Sequence, residues 1–268
     1  MSRIKNKFQD LQSKKQKALI AYIMTGFPSE KGTILAIRGL VKGGADIIEL
    51  GMPFSDPLAD GPVIQNAGFH ALQKGMNFDK FLTIVKKIRK EIDIPLVLMT
   101  YTNLLYRHGY EKFISIVKSA GIDGLILPDM SIDESRDFLK AARKHKIDTI
   151  FLISPNTSPE RIKKIANTSS GFLYLVSVFG TTGGQQQFQN YTAHAIKNAR
   201  KILSGKIPLG VGFGVNNPDQ VKLMIKSGAD AIIVGSAFLR LMENTPTDKI
   251  EQKIESFTKG LKKATISE

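Results

Sequence analysis

The 268-residue sequence has no cysteine, no tryptophan and only four histidines. Without cysteine there is no disulfide, no thiolate metal ligand and no thiol nucleophile, so whole reaction classes fall away. His70, His108, His145 and His194 stand on separate segments without metal-ligand spacing, and the chain carries neither a Walker loop nor a nucleophile elbow. No metal and no covalent nucleophile are expected. Long hydrophobic runs are missing too: no apolar stretch approaches the ~20 residues of a membrane span. The Lys- and Gln-rich stretch from Met1 to Lys17 has no apolar core of signal-peptide length. The expectation is a cytoplasmic protein with no membrane role.

Acidic residues are the minority charge, 24 against 38 Lys and Arg, which leaves a net charge of +14. Nucleic acid or an anionic small-molecule substrate would each suit such an excess. The cations are mostly lysines, scattered in pairs such as Lys86-Lys87, Lys163-Lys164 and Lys262-Lys263 within amphipathic patterns. Dispersed lysine reads first as solvated helix faces, with no nucleic-acid partner.

Against these absences stands a regular rhythm of short β-branched runs and longer helical periods. Strands are expected over Leu19–Met24, Ala45–Leu50, Pro95–Tyr101, Gly124–Pro128, Asp148–Ile153, Phe172–Ser177, Pro208–Val211 and Ala231–Val234. Between them lie helical patterns over Thr33–Lys42, Phe78–Ile92, Tyr110–Ser119, Ser131–Lys144, Pro159–Ala166, Ala193–Leu203 and Asp219–Lys226, with Lys249–Lys262 closing the chain. Strict alternation implies a parallel sheet, because parallel neighbours need crossovers. Eight repeats point to an α/β fold of the (β/α)8 or TIM-barrel type, one domain over residues 1–268. Three helix-to-strand turns share a pattern, Gly43-Gly44-Ala45-Asp46, Ala120-Gly121-Ile122-Asp123 and Ser227-Gly228-Ala229-Asp230, with glycine expected to end each helix in the left-handed region. Extended loops follow strands two and six, at the barrel end where function is normally built.

Strand two places a carboxylate, Glu49, inside the apolar run Ile47-Ile48-Glu49-Leu50. Alternation puts it on the face of Ile47. If that face is the interior, desolvation raises its pKa and equips it for acid and base work; on the outside it would pair with a lysine. The loop from Pro53 to Pro62 holds Asp56 and Asp60 between prolines, which restrict its conformations. Asp60 reads as an acceptor for a substrate N–H or as a second acid/base group, and both aspartates read alternatively as turn residues. After strand six, Phe179–Phe188 reads as a glycine-rich lid, and Tyr174 just before it is a mouth or a core phenol. Strands seven and eight end in Gly210-Val211-Gly212-Phe213-Gly214 and Val234-Gly235-Ser236, suited to a phosphate on exposed N–H groups or, alternatively, to tight packing.

The segment from Glu49 through Pro53, Asp56, Pro57, Asp60 and Pro62 to Gln65 resembles the signature of the tryptophan synthase alpha subunit. The likeness spans essentially the whole chain, including the leading helix near Phe8, the Asn103 loop, Pro128-Asp129, Pro155-Asn156, Gly183 and the last two glycine turns. The resemblance implies a TIM barrel that cleaves indole-3-glycerol phosphate to indole and glyceraldehyde 3-phosphate and passes indole to a beta subunit. It implies Glu49 as acid/base catalyst and Asp60 facing the indole N–H. Tyr22, Tyr101, Tyr174, Thr182 and Phe213 would line or close the indole pocket, and Gly183, Gly214, Gly235 and Ser236 would hold the phosphate. Pro53, Asp56, Pro57 and Asn103 would face the partner. It further implies no cofactor in this subunit, pyridoxal phosphate on the beta partner, and an alpha2beta2 assembly. Two departures stand out: Val178 where many members have a charged lid residue, and Tyr22 where phenylalanine is frequent. A sugar-phosphate isomerase barrel would share the strand-end glycines but not the Glu49–Gln65 segment.

Overall fold

The computed structural model describes residues 1–176, 185–212 and 214–266, the side chains of 185–189 excepted. The described residues form nine parallel strands, β1 (Ala18–Met24), β2 (Ile47–Gly51), β3 (Leu96–Met99), β4 (Gly124–Ile126), β5 (Asp148–Ile150), β6 (Leu152–Ile153), β7 (Leu173–Val176), β8 (Leu209–Gly212) and β9 (Ala231–Val234). They pair in the order β5-β4-β3-β2-β1-β9-β8-β7-β6. Because β5 and β6 are separated only by Phe151, the two ends of this order are covalently joined and the sheet closes into a barrel. The expected single strand over Asp148–Ile153 is thus interrupted once. The Phe151 carbonyl nevertheless accepts from Tyr174 N at 3.0 Å, so the backbone pairing continues across the break.

Every residue of β1 is buried, because a barrel strand has a core on both faces. Inward residues, including Ile20, Ile47, Val97, Ile126, Ile150, Phe172 and Ile233, form one cluster. The N-terminal helix Arg3–Ser13 adds Ile4, Phe8 and Leu11 to it and plugs the floor of the barrel. Outward residues such as Leu19, Ala21, Ile23, Leu50 and Val234 form a second cluster with the surrounding helices.

Helix starts follow local chemistry. Ser29, Asn77, Ser158 and Asn217 each accept a backbone N–H of the first turn, satisfying a donor that has no partner within its helix. The helix expected over Ala193–Leu203 begins earlier, at Gln185, so the last four residues of the expected lid are helical. Residues 177–184, which hold the rest of that lid, lie outside the described residues. The helix over Thr102–His108 has no counterpart in the sequence pattern.

The repeated glycine turns have the expected left-handed backbone at Gly44, Gly121 and Gly228. The aspartates that follow them have a shared role that spacing does not reveal. Asp46 Oδ2 accepts from Leu19 N at 2.8 Å and Lys262 Nζ at 2.7 Å. Asp123 Oδ2 accepts from Leu96 N at 3.0 Å and Arg89 at 2.9 Å, and Asp230 Oδ2 from Leu209 N at 3.1 Å and Arg200 at 2.6 Å. Each carboxylate ties the start of a neighbouring strand to a cation, and with its charge paired it tolerates burial.

Candidate functional site

Strand alternation converges a set of side chains at the C-terminal mouth. Tyr22 from β1, Glu49 from β2, Met99 from β3, Leu152 from β6, Tyr174 from β7 and Ile233 from β9 line a cavity of about 690 Å³, together with Asp60, Gly212, Gly214, Gly235 and Ser236. Glu49 therefore points inward. It is level with Tyr22 in the β1–β2 ladder, is only 1% exposed, and neither carboxyl oxygen has a hydrogen-bond partner among the described residues. Burial, and then the negative charge of Asp60, pushes its pKa up to about 8. At neutral pH Glu49 holds its proton in an apolar setting, as a general acid must.

Asp60 reaches the same cavity from the proline-braced loop. Ala59 N donates to Tyr101 Oη at 3.1 Å, and the Phe54 ring stacks on Tyr101 with centroids 4.9 Å apart. Behind the loop, Gln65 Nε2 donates to the Asp60 carbonyl at 2.9 Å and Pro62 opens the helix Pro62–Gln73. Burial raises the Asp60 pKa to about 6, while hydrogen bonding from Tyr101 holds it down in part. Its Oδ1 has no hydrogen-bond partner among the described residues. Two carboxyl groups thus share one cavity, one mostly protonated and the other mostly ionised at neutral pH.

The tyrosines depend on glycines. A Cβ on Gly212 would stand 2.7 Å from Tyr174 Oη, and one on Gly235 would stand 3.1 Å from Tyr22 Cδ1. Part of the strand-end glycine pattern therefore serves ring packing. Gly214 differs: it has φ of +65°, and a Cβ there would meet nothing within 4 Å, which leaves its backbone open to the cavity. Gly235 precedes the helix Ser236–Glu243, whose N-terminus has no side-chain cap and opens beside Gly214 in the cavity lining. Its first-turn N–H groups are oriented for an anion.

Asp56 is exposed and its carboxylate accepts from Ser55 Oγ, which fits the turn reading. Asn103 is exposed, Pro57 half-buried and Pro53 buried. Thr182, Gly183 and Phe213 lie outside the described residues. Met99, Leu152, Ile233 and Ile64 in the apolar lining do not stand out in the sequence. Inward alternation from Val97, Ile150 and Ala231 would have found the first three. Among the described residues no group of three or more His, Cys, Asp or Glu side chains could hold a metal ion, and no helix is long and apolar enough to cross a membrane.

Residues 8–266 match the family model described as tryptophan synthase alpha chain. The chain belongs to the tryptophan synthase alpha family. It is 42% identical over 264 residues to the tryptophan synthase alpha chain of Methanosarcina mazei, covering 98% of this chain and 94% of that one. To the Synechocystis alpha chain it is 43% identical over 258 residues, with 96% and 97% covered. Among solved structures, the alpha subunit from Legionella pneumophila superimposes with a TM-score of 0.90 at 33% identity, covering 99% and 98%. A chain of Mycobacterium tuberculosis tryptophan synthase gives 0.88 at 32% identity with both chains fully covered. The buried carboxylate pair of this family member lies in the segment whose sequence carries the family resemblance.

Proposed function

We propose that this chain is a lyase that cleaves indole-3-glycerol phosphate to indole and glyceraldehyde 3-phosphate, and hands indole to a beta subunit. The reading is carried by Glu49 and Asp60, two buried carboxyl groups with separated pKa values in one cavity, in a chain of this family. Protonated Glu49 gives its proton to indole C3, and positive charge develops on the ring nitrogen. Ionised Asp60 stabilises that indoleninium through its N–H. The carboxylate left on Glu49 then takes the proton of the neighbouring glycerol hydroxyl. As the C–C bond breaks, its electron pair returns to the ring to restore aromatic indole, the former carbinol becomes the aldehyde, and Glu49 regains its starting proton. Met99, Leu152 and Ile233 exclude water from the indole, and the phosphate lies on Gly214, Gly235 and Ser236 at a helix N-terminus. Glu49 and Asp60 perform every proton and charge step, so no cofactor is needed in this subunit. Pyridoxal phosphate belongs on the beta partner.

The partner face is the rim formed by the Pro53–Pro62 loop and the helix Thr102–His108, joined through the Ala59–Tyr101 hydrogen bond. Leu58 is 92% and Tyr106 78% exposed, and these apolar groups flank Asp56, Pro57 and Asn103. Large solvent-facing side chains of this kind gain most from being covered by another protein. An alpha2beta2 assembly follows from the family resemblance. The test is to incubate the purified chain with indole-3-glycerol phosphate and assay free indole, with and without a beta subunit. Indole release, raised by the partner and less so in Tyr106→Ala, is expected; no indole under either condition overturns the reading.

A further inference from the structure

A second cavity, of about 670 Å³, lies at the opposite end of the barrel, between the N-terminal helix and the turns that carry Gly171 and Gly205. Asp148 lines it. The parity of Asp148 sets it apart from the other strand-start aspartates. Asp46, Asp123 and Asp230 each stand one residue before an inward position, Ile47, Gly124 or Ala231, and so face the helix layer and its cations. Asp148 stands two residues before inward Ile150 and faces the barrel axis, with its Cβ 3.2 Å from where a Cβ on Gly171 would sit. Asp148 is 8% exposed, its Oδ2 has no hydrogen-bond partner, and it forms no ion pair among the described residues.

The rest of the lining has the complementary imbalance. Lys5, Lys15 and Lys206 border the cavity and make no ion pair among the described residues. The other acid there, Asp230, is already held by Lys17 and Arg200. Phe8 and Ile207 supply an apolar wall. A simple cation on Asp148 would have to approach past three lysines, whereas a simple anion would meet a buried carboxylate with no counter-ion. A molecule carrying both charges avoids both penalties.

We propose that the floor cavity binds a small zwitterion with an apolar side group, of the α-amino acid class, its ammonium on Asp148 and its carboxylate on the lysine rim. Burial raises the Asp148 pKa, and the Ser2 and Ser170 hydroxyls and Lys118 only partly counter it, so a fixed ammonium would supply the positive charge this carboxylate lacks. The site is independent of the catalytic reading, since it lies across the barrel from Glu49.

The test is an amide NMR titration of the full chain with L-phenylalanine, N-acetyl-L-phenylalanine and L-phenylalaninamide. L-Phenylalanine is expected to shift Gly171, Gly205 and the Arg3–Ser13 helix, and to do so equally in Glu49→Gln. Blocking either charged end should weaken binding about tenfold or more, the worth of one charge-assisted hydrogen bond. Asp148→Asn should abolish binding. Absence of floor shifts at millimolar L-phenylalanine overturns the proposal. So does equal binding of the acetylated form, which would mark an anion site on the lysines alone, equal binding of the amide, or retention in Asp148→Asn. If Asp148→Asn does not fold, the three-ligand comparison on the unaltered chain decides.

Discussion

Tyr22 and Gly51 share one space: the Tyr22 Cζ lies 2.8 Å from where a Cβ on Gly51 would stand, with the hydroxyl closer still. Gly51 is two residues past Glu49 on β2, and Tyr22 is level with Glu49 on β1. Gly51→Ala must therefore displace the phenol within the cavity. A fall in kcat/KM of about a hundredfold is expected, the scale of an ångström-sized misplacement near reacting groups. Gly51→Ala combined with Tyr22→Phe should recover part of the loss, because the nearest atom is removed. Steady-state kinetics on the single and double variants check this; an inactive single variant with no recovery in the double would mean the loss arises elsewhere.

The separated carboxyl pKa values set the pH dependence of turnover. kcat/KM should rise through about pH 6 as Asp60 ionises and fall above about pH 8 as Glu49 loses its proton, the two limbs belonging to the coupled pair. Glu49→Gln should lose roughly two or more orders of magnitude in rate while keeping the fold. Asp60→Asn should lose less in rate, and its remaining activity should lack the acid limb. A pH–rate profile of Asp60→Asn that retains that limb would assign it to another group.

The same groups act on stability with a definite sign. An unfolded Glu49 releases its proton near 4.5, but the folded one releases it near 8. Between those values the unfolded state binds fewer protons, so stability falls as pH rises through that window and levels off above it. Asp60 acts in the same direction between 3.8 and about 6. Urea midpoints of the intact chain should drop from pH 5 to pH 8, and Glu49→Gln should flatten the upper part of that slope. An unchanged slope in the variant would show that Glu49 is not the group responsible.

Ser236 opens the helix at the proposed phosphate cradle. Ser236→Asp places a negative charge there and should raise KM for indole-3-glycerol phosphate by about tenfold or more, with little effect on kcat. Indole-3-glycerol, which lacks the phosphate, should be turned over by parent and variant with similar KM. Equal weakening of both compounds would put the phosphate elsewhere.

The strand pattern and the glycine-ended helices were legible because they depend on periodicity and neighbouring residues, which the chain order contains; alternation put Glu49 on the face of Ile47, and only the closed barrel showed that this face is the interior. The barrel itself followed from eight alternating units, although the break at Phe151 did not, since Phe151 continues the apolar run of Ile150, Leu152 and Ile153 without a turn residue. The Asp60 loop announced its rigidity through its prolines, but not the Tyr101 hydroxyl that holds it, a contact between residues 42 positions apart. Asp46, Asp123 and Asp230 look like turn residues in sequence; closing the barrel is what brings each against a strand N–H and a cation. Asp148 differs from those three by one step of strand parity, and that step decides whether the carboxylate meets a lysine or arginine from the helix layer or is left without a counter-ion. The sequence determined which residues alternate and where the chain turns. The tertiary structure decided which buried charges find partners and which remain available for chemistry, because desolvation and ion pairing depend on distances across the barrel.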